Sequence, residues 1–237
     1  MSDTAFMSPL HKVKLLPVPP LESGDRLSRS EFERRYEAMP HINKAELIEG
    51  VVYMPSPVHF ATHGQPHAHV IGWLAVYCAA TPGVQLADNA TVLLDVDNEV
   101  QPDALLRLEE NKGGQSHINR KDYITGAPEL VVEIAASSAS IDLHEKKHVY
   151  RRNGVQEYIV WQIYDGRITW FVLDEGEYKE ITADEQGIIR SRIFPGLWLA
   201  VEEMLGGDLT AVLATAQQGI QSAEHTEFAT KLKNIAS

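Results

Sequence analysis

Apolar positions along the chain change period several times, and each change marks an element. Phe32, Tyr36 and Met39 recur at helical intervals behind Ser30 and Glu33, a pair with capping-box spacing. This predicts a short helix from about Ser28 to Ala38 that stops before Pro40. Ala45 to Ile48 and Val51 to Met54 flank Glu49-Gly50, which is hairpin spacing with glycine supplying a positive φ. Pro66 suits the first position of a helix that carries His69, Trp73, Leu74 and Tyr77 and ends at Thr81, Pro82 and Gly83. Val84 to Leu94 and Val100 to Leu108 read as two strands around an Asp97-Asn98 turn, and residues 109–128 as a polar surface loop. Leu130 to Ala135 is a nearly unbroken apolar run, as expected of a strand covered on both faces. Asp142 to Arg152 reads as a helix closed by Asn153 and a left-handed Gly154. Glu157 to Trp161 is a further strand, and turns at Asp165-Gly166 and Glu175-Gly176 extend the sheet by hairpins. After Phe194-Pro195-Gly196, residues 200–219 form a terminal helix and the last stretch frays.

The predicted order is helix, hairpin, helix, hairpin, strand, helix, strand, hairpin, and the simplest solution is α/β: a mixed sheet with helices on its faces. The opening, with Pro9, Pro17, Pro19 and Pro20, lacks periodicity and is expected to be an extended arm over residues 1–27. A domain over residues 28–200 comes next, with a helical extension over 201–237. There is no internal repeat, heptad array or dinucleotide-binding glycine fingerprint.

Composition narrows this further. Over 237 residues, 44% hydrophobic and 23% charged are globular values that argue against disorder along most of the chain. The single Cys78 sits among apolar neighbours, excludes an intramolecular disulfide and suits a reducing cytoplasm. No basic-then-apolar start and no apolar run near eighteen residues is present, so neither secretion nor a membrane span is expected. The net charge of −12 weighs against broad phosphate binding, although Lys146, Lys147, Arg151 and Arg152 form a local basic cluster.

The one charged residue in the apolar run is Glu133, and a carboxylate there needs a partner. Asp103, after Pro102, is a second candidate, suited to share a site with Glu133 if their two strands are neighbours. Two carboxylates and an ammonium suit a hard divalent cation and a phosphate, which is phosphodiester chemistry with Mg²⁺, or Mn²⁺ as a substitute. Alternation puts Glu133 and Ala135 on one face, so the strand offers no lysine two positions on. Lys146 is the best substitute, because Asp142, Lys146 and Tyr150 follow i, i+4, i+8 along one helical stripe.

In these residues the chain resembles the Uma-type restriction endonuclease family, a branch of the PD-(D/E)XK nuclease superfamily, over roughly residues 28–200. The segments are AELIEG from Ala45, QPD ending at Asp103, LVVEI from Leu130, and DLHEKKHVY from Asp142 followed by NGVQEY from Asn153. The resemblance implies a restriction-endonuclease-like mixed sheet with an αβββαβ core, Mg²⁺ as cofactor and DNA as substrate. It also implies Asp103 and Glu133 as metal ligands, Lys146 as a displaced lysine and Glu46 as the acid at the edge of the site. His63, Tyr150, Arg151 and Arg152 are candidates for cleft or phosphate contacts, and a cytoplasmic homodimer is expected. Ala45, where the family often has an aromatic residue, and Ser138, where it often has proline, are departures at the rim.

Other readings of the same residues stay open. Pro102-Asp103 is also a common turn pair, Glu133 could be paired structurally, and Lys146 and Tyr150 could be surface-helix packing. Glu49 competes with Glu46. His59, His63, His67 and His69 suggest zinc, but Gly64 and Pro66 interrupt a single helix and no cysteine is near. A nuclease fold serving as a silent binding or regulatory module is the alternative function.

Overall fold

Glu49 and Gly50 adopt φ of 52° and 72°, so a turn with two left-handed residues joins β1 (Glu46–Ile48) to β2 (Val51–Tyr53). The structure, a computed structural model, describes residues 18–55, 57–136 and 138–235. Most of the expected N-terminal arm therefore lies outside the described residues. Its described part lies along the hairpin: Leu21 is buried, Arg26 bridges to Val51, and the Leu27 amide donates to the Gly50 carbonyl at 2.8 Å. Helix α1 (Arg29–Glu37) comes next, capped by Ser28, whose side chain accepts from the Glu31 amide. The cap thus stands two residues earlier than the Ser30 and Glu33 spacing suggested. Glu33 instead pairs on the surface with Arg29 and Lys121.

Each of the two long strands expected over residues 84–108 is broken, and its halves enter different sheets. The outer halves, β3 (Val84–Asp88) and β6 (Ala104–Leu108), pair in one sheet; the inner halves, β4 (Val92–Leu93) and β5 (Glu99–Val100), pair in the other. Asn89 at φ 51° turns the chain out of the first sheet, and Pro102, with no N–H to donate, interrupts the return. The break leaves Asp103 at the seam between the sheets. The expected loop over residues 109–128 contains a 3₁₀ turn at Glu110–Lys112 and two short strands, β7 (His117–Ile118) and β8 (Ile124–Thr125). Pairing of β8 with β4 supplies order that the polar sequence does not announce.

The first sheet runs β2-β1-β5-β4-β8-β7. The second contains β9 (Leu130–Ala135), β10 (Glu157–Gln162), β11 (Arg167–Asp174) and β12 (Glu177–Ile181), in the order β12-β11-β10-β9-β6-β3. Strands β9 and β10 are parallel and buried along their whole length, as the apolar run required. Leu130, Val132 and Ile134 join Trp73 and Tyr77 of α2 (Gln65–Ala80) in one core. Val131 and Ala135 face the opposite core with Val149, Tyr150 and Tyr158. Cys78, expected in the core, is half-buried and its thiol donates to the Val84 carbonyl.

The expected terminal helix is split. Hairpin β13 (Ile188–Arg190) and β14 (Trp198–Ala200) leads into α5 (Val201–Gly206), α6 (Leu209–Ile220) and α7 (Ala223–Asn234). Gly207 at φ 78° ends α5, and Asp208 and Ser222 cap α6 and α7 through their side chains. The stretch expected to fray is pinned instead, because His225 bonds to Thr81 Oγ1 at 2.9 Å and Leu232 is buried. Among the described residues no helix is long and apolar enough to cross a membrane.

Candidate active site

Asp103 and Glu133 meet because of register. Ala104 faces Val132 and Leu105 faces Val131 across the antiparallel β6–β9 pair, so one step further puts Asp103 opposite Glu133. Asp103 is turned so that Oδ2 accepts from the Ile134 amide at 2.8 Å and lies 3.3 Å from His63 Nε2. Its Oδ1 accepts from Lys44 Nζ at 3.2 Å.

The ammonium opposite Glu133 comes from the helix, as Ala135 demanded. The helical segment begins at Ala139, earlier than expected, with α3 (Ala139–Ile141), widens to a π-turn over Asp142–Lys146, and continues as α4 (Lys147–Asn153) to Gly154 at φ 86°. Ser138, at the position where a proline was the family's habit, donates to Asp142 Oδ2 at 2.6 Å; Ser137 lies outside the described residues. The Tyr158 hydroxyl donates to the Asp142 carbonyl at 2.9 Å and supports the widened turn from below. Lys146 Nζ donates to Glu133 Oε1 at 2.9 Å, and the Tyr150 hydroxyl donates to the same oxygen at 2.8 Å. Lys146 also lies 3.0 Å from Glu46 Oε2 and 3.7 Å from Asp142 Oδ1. Glu46 is held in turn by the Gln101 amide, which donates to Oε1 at 2.8 Å. Glu49, the competing acid, stays at the hairpin turn and pairs with Arg152.

Three buried carboxylates, Glu133, Glu46 and Asp142, therefore converge on one buried ammonium, and a fourth, Asp103, pairs beside them with Lys44 and His63. Burial raises the Glu133 carboxyl; Lys146 opposes that rise, and Asp103, Asp142 and Glu46 add to it. Burial alone would lower Lys146, but Glu133, Glu46 and Asp142 outweigh it and hold the ammonium charged. Burial would likewise raise Asp103, yet the His63 hydrogen bond and the Lys44 charge keep it well below the usual carboxylate range. Asp103 is an anion at neutral pH, while burial, with the neighbouring acids adding to it, favours the neutral form of Glu133.

Residues 29–202 match the profile of the Uma2 family, whose description is "Putative restriction endonuclease". The chain belongs to the Uma2 family. A similar solved structure, from Anabaena variabilis ATCC 29413, is described as "a putative nuclease belonging to DUF820". It superposes with a TM-score of 0.56 at 12% identity, covering 73% of this chain and 97% of that chain. A likeness at that identity establishes the fold, which is restriction-endonuclease-like. No curated protein matches the chain.

In this Uma2 member the structure brings Glu46, Asp103, Glu133 and Lys146 into one cluster, with Tyr150 and His63 in contact with it. Arg151 and Arg152 are not brought there. Arg151 donates to the Gly176 carbonyl and pairs with Glu177, and Arg152 pairs with Glu49 and Asp95, so acids of neighbouring turns absorb both charges. Sequence reasoning missed Lys44, His67 and Asp142 as members. Asp142 was legible in the stripe with Lys146 and Tyr150. His67 Nε2, 2.8 Å from the Asp103 carbonyl and 3.1 Å from Asp88 Oδ1, is placed by the strand break, which has no local signal. His63 Nδ1 is buried and has no hydrogen-bond partner among the described residues.

The donor set suits a hard cation. Oxygen ligands on paired strands, one of them firmly anionic, match an ion of the magnesium type that keeps much of its water. Among the described residues no group of three or more His, Cys, Asp or Glu is placed to hold a metal ion, so an ion on Asp103 and Glu133 would complete its shell with water.

Proposed function

We propose that this protein is a divalent-metal-dependent DNA endonuclease, with Mg²⁺ as its ion and Mn²⁺ able to substitute. Lys146 carries this reading: its ammonium lies 2.9 Å from Glu133 Oε1 although the strand offers only Ala135. Asp103 and Glu133 would hold the ion. When bound, it would neutralise phosphate charge and acidify an attacking water. Water oxygen would attack phosphorus as the P–O bond to the leaving sugar oxygen breaks, the attacking water giving its proton to solvent and the leaving oxygen taking one from solvent, with no covalent enzyme intermediate. Lys146, fixed by Glu46, Glu133 and Asp142, would present its charge to the phosphoryl oxygen, where negative charge grows. Tyr150 would fix Glu133 Oε1, and Glu46 would aim Lys146. A cytoplasmic homodimer is part of the same proposal.

A plasmid-nicking assay with Mg²⁺ or Mn²⁺ tests it, comparing wild type with Asp103→Ala and Lys146→Ala. Both substitutions should abolish nicking, and activity that survives both overturns the assignment. The net charge of −12, with Arg151 and Arg152 neutralised by acids, favours a second reading: a nuclease fold that binds without cutting. Calorimetry separates the two, because the nuclease takes up Mg²⁺ and loses it on Glu133→Ala.

A further inference from the structure

The two lysines of the cluster are held in different ways. Lys146 is buried, anchored on a helix and shared by three carboxylates. Lys44 stands in the extended segment just before β1, with 22% of its side chain exposed. It has two acceptors, Asp103 Oδ1 at 3.2 Å and Asn89 Oδ1 at 3.1 Å, both at the long end of the hydrogen-bond range.

The Asn89 contact is built rather than incidental. Asn89 holds a left-handed backbone at φ 51°, and its Nδ2 donates to Asp88 Oδ1 at 2.7 Å. With the amide nitrogen committed to a carboxylate, the amide oxygen must face Lys44. Lys44 is thereby held between Asn89 and Asp103, the carboxylate best suited to hold a cation.

We propose that Lys44 and a divalent cation compete for Asp103, and that Lys44, once displaced, contacts the substrate phosphate; this rests on the metal-dependent reading above. An ammonium at 3.2 Å and a dication cannot both occupy that carboxylate edge without strong repulsion. The long, partly exposed stem lets the ammonium leave without disturbing either core. Lys146, enclosed by acids, has no such freedom. Asp103 thus sees a resident monovalent cation that yields to a dication and then serves the incoming polyanion.

The experiment is calorimetric titration of Mg²⁺ or Mn²⁺ into wild type, Lys44→Met and Lys44→Arg, with plasmid nicking measured at saturating metal. Lys44→Met should bind metal about tenfold more tightly, a usual coupling between adjacent charged sites, yet nick about tenfold more slowly. Lys44→Arg should keep metal affinity near wild type and recover part of the nicking rate. Unchanged or weaker metal affinity in Lys44→Met overturns the proposal. So does undiminished nicking at saturating metal, which would leave Lys44 a purely structural pair. If the wild type itself takes up no metal, the nuclease reading fails and Lys44 loses its role with it, a result distinct from the other two. Matched melting temperatures verify that the variants are folded.

Discussion

Glu133 and Glu157 sit on neighbouring parallel strands, both buried, and they have opposite fates. Glu157, at the start of β10, accepts from the Ser191 hydroxyl at 2.7 Å and from the Arg192 amide at 2.7 Å. Its donors are neutral and fixed by the chain. Glu133, near the far end of β9, is met by an ammonium, a phenol and three other acids. Burial raises both carboxyls, Glu157 to about 7. A raised carboxyl therefore does not mark a site by itself; what separates the two is whether the surrounding charge can be exchanged for a ligand.

Substitutions can break this contrast. The largest effect is expected for Lys146→Ala and Glu133→Ala, which should lower nicking by about 10²–10³-fold or more. Lys146→Ala should also lose stability, roughly 3–5 kcal/mol, because it strands buried carboxylates. Glu133→Gln should abolish nicking without lowering the melting temperature, since it relieves like-charge repulsion. Glu157→Gln should leave nicking intact. A loss of activity in that variant would erase the distinction.

A pH dependence of intermediate size is expected at Glu157. Its carboxyl sits near 7 when folded against an ordinary 4.5, so folding takes up a proton between those values. Stability is then fully present below about 4.5 and declines as pH rises towards 7, by about 3 kcal/mol through this residue. Denaturant titrations across that window should show the slope shrink in Glu157→Gln. A smaller effect belongs to Tyr150→Phe, which removes one hydrogen bond to Glu133 and should cost about 1 kcal/mol and roughly tenfold in nicking. The smallest is Arg152→Ala: the arginine pairs with exposed Glu49 and half-buried Asp95 away from the cluster, and its loss should change nicking less than about twofold. A large loss there would mean that the arginine reaches substrate after all.

Several of these features were legible in the sequence for a local reason. Glu133 stands out as a charge inside an apolar run, Gly50 and Gly154 mark turns that need positive φ, and Ala135 forces the lysine elsewhere. The rest depends on partners distant in the chain. Nothing near Val92 or Ile124 says that they pair, so the crossing into a second sheet at Asn89 and Pro102 went unread, and with it the proximity of Lys44 and His67 to Asp103. The Asp208 and Ser222 caps were local signals, hidden inside a run that looks continuously helical.

Both π-turns among the described residues lie at the cluster: Phe60–Gly64 carries His63, and Asp142–Lys146 carries two of its charged groups. Such a turn acts as a one-residue insertion, shifting the phase of the later residues by about 100° relative to a regular helix. Deleting one residue from either turn would rotate the residues on its two sides by about 100° relative to each other, so the charged groups it carries and core residues such as Val149 and Tyr150 could not both keep their places, and length variation there acts on chemistry and packing together.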